Sequence, residues 1–401
     1  MSSVESLQKK IPLNNQIGLI GLLLCAFSSP LMMLLNIEAI ILKFVNVTNT
    51  DIGWIGTYES LFISISSITF SRLVNKLNTK KVFFAGALLV MIGNFLTIFA
   101  PEYNYIILSR IIAGLGSGAI VANVVATIAR GSNNQMTFAL LNSGVGVMGI
   151  LLPFLLNIII ASNGIDGSYS LIGIDGTYSL DAMEGAYSLH FFISLFTFFF
   201  LFLIKLEDFE NDNMNSVDSY KGLSGWIAMF GTSLIFLAHA GLFLFVARIG
   251  ASLEIPITQI TYILMAGGVL TIFGPLIAGF IGQRFGSLIP CLLLIMILLV
   301  AGLCISNTSS PVVFFISVPL CGMIPMILTP FFLGAMAKLD STGSLAAAHP
   351  AFSTMGGALG PVVMGYASDW LGYSGIGWVL LIMLLIGSPL ISIALFEADK
   401  K

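Results

Sequence analysis

The sequence predicts an all-α membrane protein of twelve transmembrane helices, arranged as two parallel six-helix repeats. Three observations carry this. Of 401 residues, 57% are hydrophobic and 9% charged, with a mean hydropathy of +1.01. A soluble domain carries about a quarter charged residues, so a water-soluble globule is excluded. The apolar residues fall into runs long enough to cross a bilayer, which takes about 20 residues as helix, whereas a β-barrel would show short alternating segments. Finally, the first half of this pattern returns in the second half at a constant offset of 208 residues.

The runs are 17–42, 51–72, 80–100, 104–128, 134–161, 189–206, 223–248, 257–281, 287–306, 311–337, 343–368 and 374–396, taken below as spans 1 to 12. They divide the chain into an N-terminal bundle (1–206), a polar acidic linker (207–222) and a C-terminal bundle (223–401). At the 208 offset, span 1 falls on span 7, Asn75 on Gln283, Lys76 on Arg284, Gly114 on Gly322, and Gly149 and Pro153 on Gly357 and Pro361. Six spans per half gives both halves the same orientation. In transporters built this way the substrate site lies between the halves near the bilayer midplane.

Lys and Arg accumulate on the cytoplasmic side of short loops. With the N-terminus inside, the inner segments hold Lys9, Lys10, Arg72, Lys76, Lys80, Lys81, Arg130, Lys205, Lys221, Arg284, Lys338, Lys400 and Lys401, against Lys43 and Arg248 outside. Both termini and the linker are therefore expected in the cytoplasm, in a multi-pass protein of a bacterial inner membrane. No removable targeting segment is expected, because the first run is too long for a signal peptide. The four cysteines all fall inside spans and read as small core residues.

Between spans 5 and 6 lies an insert, 162–188, in which Gly164-Ile165-Asp166-Gly167-Ser168-Tyr169-Ser170-Leu171 returns as Gly173 to Leu180 and more loosely as Ala182 to Leu189. Gly, Asp and Ser favour turns. The segment reads as an elaborated outer loop that tolerates insertion. The alternative is an acidic surface for cations or a partner. His190, just beyond it, is expected to be solvated.

The loop after span 2 reads Ser71-Arg72-Leu73-Val74-Asn75-Lys76-Leu77-Asn78-Thr79-Lys80-Lys81, and its second-half copy Gly279-Phe280-Ile281-Gly282-Gln283-Arg284-Phe285-Gly286. Span 4 carries Arg110-Ile111-Ile112-Ala113-Gly114-Leu115-Gly116-Ser117-Gly118. Span 11 carries Gly356-Gly357-Ala358-Leu359-Gly360-Pro361, then Gly365-Tyr366-Ala367-Ser368-Asp369. Over nearly its whole length the chain resembles the major facilitator superfamily. The loop pair resembles that family's G-x-L-x-D-R-x-G-R-[KR] latch, with amides (Asn75, Gln283) at the acidic position. Span 4 matches its R-x-x-x-G-x-G signature, and span 11 resembles the G-x-x-x-G-P-x-x-G element that drug–proton antiporters carry in span 5. The resemblance implies the major facilitator fold. It implies conformational roles for Asn75, Lys76, Lys80, Lys81, Gln283, Arg284, Gly357, Gly360, Pro361 and Asp369, and a coupling role for Arg110.

Independently of the family, a charge at mid-span costs about 3 kcal/mol even on lenient insertion scales, so each one asks for a reason. Glu38, Glu59 and Arg110 all fall in the outer half of the membrane within the N-terminal bundle, and the equivalent second-half positions are Val246, Gly267 and Val318. An acid beside a permanently charged Arg can take and release a proton as access alternates, which predicts proton coupling by these three residues. The competing reading is a static pair that fixes helix packing. His239, mid-span 7, is a further candidate for proton coupling. Asn123, Asn142 and His349 are candidate cavity residues.

The expectation is a secondary transporter moving a small molecule by alternating access, driven by protons and exporting its substrate. Proton-coupled uptake of an organic anion or amino acid, with Arg110 clamping a carboxylate, is the alternative. A non-transporting membrane sensor is the alternative of another class. No G-x-x-x-x-G-K-[ST] loop appears, so nucleotide hydrolysis is not the expected drive. No enzyme chemistry, cofactor, metal site or nucleic-acid partner is expected, and the chain is read as a monomer in the lipid bilayer.

Overall fold

A computed structural model describes residues 11–44, 47–73, 77–129, 134–162, 182–205, 222–339 and 344–400. Asn75 and Lys76, the acidic linker up to Lys221, and the first two copies of the nonapeptide lie outside the described residues. The described chain is helical, with no strand among its elements.

Span 1 is three pieces: α1 (Leu13–Ala26), α2 (Ser28–Leu31) and α3 (Met33–Lys43). Pro30 explains the first interruption. It has no N–H to give the carbonyl of Ala26 four residues earlier, and the Ser117 hydroxyl takes that carbonyl instead at 2.9 Å. Phe27 (φ −96°, ψ 6°) and Met32 (φ −110°, ψ 20°) leave helical geometry on either side.

Spans 2 to 6 are α4 (Asn49–Leu73), α5 (Thr79–Ile98), α6 (Tyr103–Ala129), α7 (Asn134–Ser162) and α8 (Ala182–Leu203). The second half follows with α9 (Leu223–Leu244), α10 (Val246–Ser252), α11 (Ile257–Phe285), α12 (Leu288–Asn307), α13 (Pro311–Leu339), α14 (Ser344–Leu371) and α15 (Tyr373–Lys400). Helices α11 to α14 start within two residues of 208 beyond α4 to α7. The starts of α8 and α15, 182 and 373, differ by 191, which is 17 less than 208. The extra length of the first half therefore lies before α8, where the nonapeptide is repeated.

Helix α8 begins at Ala182, so the third, loose copy of the nonapeptide is helix rather than loop, and the insert ends earlier than its sequence suggests. Glu184 sits in the first turn of α8, where a carboxylate opposes the helix dipole favourably. It also pairs with Lys43 at the end of α3, at 3.1 Å.

Among the described residues, nine helices are long and apolar enough to cross a membrane. Helices α4 and α14 and the broken first passage fall short of that measure. The reason is position: α4 packs on α6 and α14, and α14 on α9, α4 and α15. A helix enclosed by protein has no need of an apolar circumference, and α4 can carry Thr57, Glu59, Ser64 and Ser66 buried.

The halves meet along two helix pairs, α4 with α14 and α7 with α11. Glycines set both distances. A Cβ on Gly146 would lie 2.9 Å from the Ile272 amide, and one on Gly268 would lie 2.7 Å from the Gly149 carbonyl carbon. On α14, two pairs of residues four apart face different neighbours: Gly356 and Gly360 meet the Ser233 and Leu237 carbonyls of α9, while Pro361 and Gly365 meet Gly53 and Asn49 of α4. Gly286 (φ 69°) turns α11 into α12, whose first amides (Ser287, Leu288) are capped by Asp399 of α15 at 2.8–3.0 Å.

Candidate functional site

The site grows out of span 4. On α6, Gly114 and Gly118 stand one turn apart and face α4: their missing Cβ atoms leave room for the Glu59 carbonyl oxygen (2.6 Å from a built Cβ on Gly114) and for Ser66 Cβ (2.6 Å from one on Gly118). Gly116, half a turn round, faces Gly86 and Val90 of α5. The alternating glycines thus let α6 lie against two helices at once. Arg110, one turn before Gly114, is carried into the space between them, about 10 Å in from the start of α6.

Arg110 is fully buried, as is Glu59. Its Nη1 donates to Glu59 Oε1 at 3.3 Å, to Ser29 Oγ at 2.9 Å and to Asn94 Oδ1 at 3.2 Å. Its Nη2 donates to the Gly93 carbonyl at 2.8 Å and Thr97 Oγ1 at 2.5 Å. The Tyr187 ring lies 4.6 Å from the guanidinium carbon, a cation–π distance. Ser29 also donates to Glu59 Oε1 at 3.4 Å. The other carboxylate oxygen, Oε2, is buried with no hydrogen-bond partner. A buried charge pair is stable only when further hydrogen bonds satisfy its remaining atoms, and here one oxygen is left over.

A second layer was not foreseen in the sequence. His190 is fully buried. Its Nδ1 lies 3.2 Å from Ser28 Oγ and its Nε2 2.9 Å from Asn36 Oδ1. Asn36 is oriented by donating to the Ser29 carbonyl at 3.1 Å, so its oxygen accepts from Nε2–H and Nδ1 accepts the Ser28 hydroxyl. The imidazole is thereby a neutral bridge between α8 and the broken first passage. The expectation of a solvated His190 fails because α8 starts eight residues before it, not at the membrane surface. Polar Asn36 and Asn94 inside apolar runs, and serines beside Pro30, were the available signals. Replacing His190 by Ala should leave Asn36 and Ser28 without their ring partner, at about 1–3 kcal/mol for each group stranded. Thermal unfolding in detergent should show a clear fall in Tm, with partial recovery in His190→Gln.

The other expected site residues are scattered. Glu38 does not join the Arg110 cluster. It is half-buried on α3, its Oε1 has no partner, and the charge acting on it is that of Arg248 on α10, in the other half. His239 on α9 is half-buried and stacks on Phe243 with centroids 5.4 Å apart, its Nε2 unpartnered. His349 lies between the Phe236 and Phe332 rings at 6.0 and 6.1 Å, also with Nε2 unpartnered. Asn123 is buried and turned back on its own helix, donating to the Ala119 carbonyl at 2.9 Å. Asn142 is half-buried on α7. Lys80 and Lys81 are exposed at the start of α5, where Asn78 caps the Lys81 amide at 3.1 Å. Gln283 and Arg284 belong to the last turn of α11, and their side chains are outside the described atoms. Gly357 has loose surroundings, with only Ala240 Cβ at 3.8 Å from a built Cβ.

The family profile described as Major Facilitator Superfamily matches residues 18–348. The chain belongs to that superfamily. That membership makes it a multi-pass membrane protein of a transporter family, not an enzyme. Its fold is similar to a bacterial homolog of the human lysosomal transporter Spinster. The inward-facing, occupied structure of that protein matches with a TM-score of 0.70 at 12% identity, over 96% of each chain. Its inward-facing, unoccupied structure matches with a TM-score of 0.66 at 13% identity, over 97% of this chain and 98% of that one. Among curated proteins, the MFS efflux transporter inpD of Emericella nidulans is 31% identical over 120 residues, or 29% of this chain. The match spans only 22% of that relative's length.

Proposed function

We propose that this transporter is driven by protons and exports its substrate, with Glu59 as the proton carrier and Arg110 as the group that senses its charge. The observation that carries the reading is the unpartnered Oε2 of Glu59, buried beside a guanidinium that already has five other interactions in its neighbourhood. A proton on Glu59 removes the negative charge that Arg110 is holding. The guanidinium then depends on neutral acceptors and the Tyr187 face, and the packing of α4 against α6 changes its balance. Both Nη atoms of Arg110 are committed to internal acceptors, which favours coupling over a carboxylate clamp for an imported anion. The efflux name of the partial relative supports export. The Lys and Arg distribution supports cytoplasmic termini, and a bacterial inner membrane and a monomeric chain fit the same reading. His239 stands ready as a second titratable group in the other half, with Asn142 and His349 as cavity residues.

The test is transport in proteoliposomes against a panel of labelled small molecules, with an imposed pH gradient. Wild-type protein should accumulate its substrate only with the gradient and against the direction of proton flow. Glu59→Gln should insert normally and equilibrate substrate without accumulating it. Gradient-driven accumulation by Glu59→Gln at the wild-type level rules out this assignment.

A further inference from the structure

Between the halves, at the end of the bundle away from the termini, α4 and α14 come into backbone contact. A Cβ on Gly365 would lie 2.7 Å from the Asn49 carbonyl oxygen and 3.0 Å from Thr50 Cα, and Gly53 sits directly on the Pro361 carbonyl. One side chain crosses this seam at its tip. Asp369, in the last turn of α14, accepts the Thr50 backbone N–H at 2.9 Å with Oδ2, and accepts the Thr50 hydroxyl in a short bond to the same oxygen.

Thr50 lies in the first turn of α4, whose amides have no partner inside the helix. The helix already has a cap of its own. Thr48 Oγ1 accepts the Asp51 amide at 3.1 Å, and Asp51 Oδ2 accepts the Thr48 amide at 3.0 Å, the reciprocal capping box. The remaining Thr50 amide is the one taken by the other half. A carboxylate at a helix N-terminus is also favoured by the helix dipole. Asp369 is thus not needed to form α4, and its bonds act between the halves.

We propose that Asp369 is a latch: a carboxylate of the C-terminal half that keeps this end of the transporter shut by capping α4 of the N-terminal half, and that releases when this end opens. The proposal rests on the alternating-access reading above. Losing a carboxylate acceptor from a first-turn amide, taken as similar in size to losing an N-cap, is a change of about tenfold in an equilibrium, equivalent to about 1.4 kcal/mol. Asp369→Ala should therefore raise the ratio of open to shut molecules about tenfold.

The test is pulsed electron–electron resonance on the full chain in lipid nanodiscs. Spin labels go on Glu102→Cys and Ser309→Cys, exposed positions on opposite halves at this end, with Cys25, Cys291, Cys304 and Cys321 replaced by Ser. The ratio of long- to short-distance populations should rise about tenfold in Asp369→Ala. It should rise less in Asp369→Asn, which keeps an acceptor, and in Thr50→Val, which keeps the backbone donor. These two milder variants carry the test if Asp369→Ala does not insert. Gly53→Leu, whose side chain is forced onto the Pro361 carbonyl, is the positive control for opening. Opening in Gly53→Leu with wild-type distances in the latch variants overturns the latch alone. An end that stays shut in Gly53→Leu and in every latch variant overturns alternating opening at this end, and the latch with it.

Discussion

Arg110→Ala will unfold more readily than any other single substitution at the site and will abolish transport. The substitution takes the charged donor away from Glu59 Oε1, Ser29 Oγ, Asn94 Oδ1, the Gly93 carbonyl and Thr97 Oγ1 together. Removing one partner of a buried charge pair costs about 3–5 kcal/mol, because the other charge stays behind without compensation. For a protein of this size that should lower Tm by about 4–6 °C, read by thermal unfolding in detergent. Arg110→Lys should keep more of the stability and none of the coupled transport. An ammonium is a point charge without the planar fork that reaches α1–α3, α4 and α5 at once. The double variant Arg110→Gln/Glu59→Gln decides whether the two charges act as a pair. It should be more stable than Arg110→Ala alone, since replacing both partners removes the stranded charge. A double variant no more stable than the single one would show that Glu59 and Arg110 are independent.

Gly114→Val will disable the same site while leaving both charges in place. A Cβ at this position would sit 2.6 Å from the Glu59 carbonyl oxygen and 3.3 Å from the Ile63 amide, which are backbone atoms of α4 rather than yielding side-chain ends. Helix α4 must move away. The Arg110–Glu59 contact, at 3.3 Å, is already near the limit for a hydrogen bond, so a shift of about 1 Å breaks it. Transport should fall to background, and adding Glu59→Gln should then cost little further stability, because the coupling is already gone. Gly357→Ala is the contrast. Its new methyl meets only Ala240 Cβ at ordinary contact distance, so transport and Tm should stay near wild type. A silent Gly114→Val would mean that α4 and α6 slide freely past each other and that the glycine has no part in holding the pair.

The glycines of span 4 also explain how far the sequence could be read. The Arg110-x-x-x-Gly114 spacing was visible as a signature, but its physical content is a contact between α6 and the backbone of α4. The same holds at the other end of the protein. The family resemblance directs attention to the loop after span 2, where Asn75 stands at the acidic position. The carboxylate that caps a helix of the opposite half is instead Asp369, at the far end of α14.

The amino-acid sequence by itself determined the membrane fold, the order and approximate place of the spans, the repetition of the halves and the isolation of Arg110 and Glu59. These follow from hydropathy and from the cost of a charge in hydrocarbon, and both are properties of the linear chain. It also set the height of each residue, because a helix rises 1.5 Å per residue. The direction in which each side chain points round the bundle was decided only by tertiary packing. Glu38 lies at a depth close to the cluster and still takes no part in it, its Oε1 buried without a hydrogen-bond partner. His190 turns inward to Asn36 because α8 extends through a segment that reads as turns, and Ser29 reaches Arg110 because Pro30 breaks the first passage. Azimuth depends on which small residues let two particular backbones approach, and that choice is made between helices.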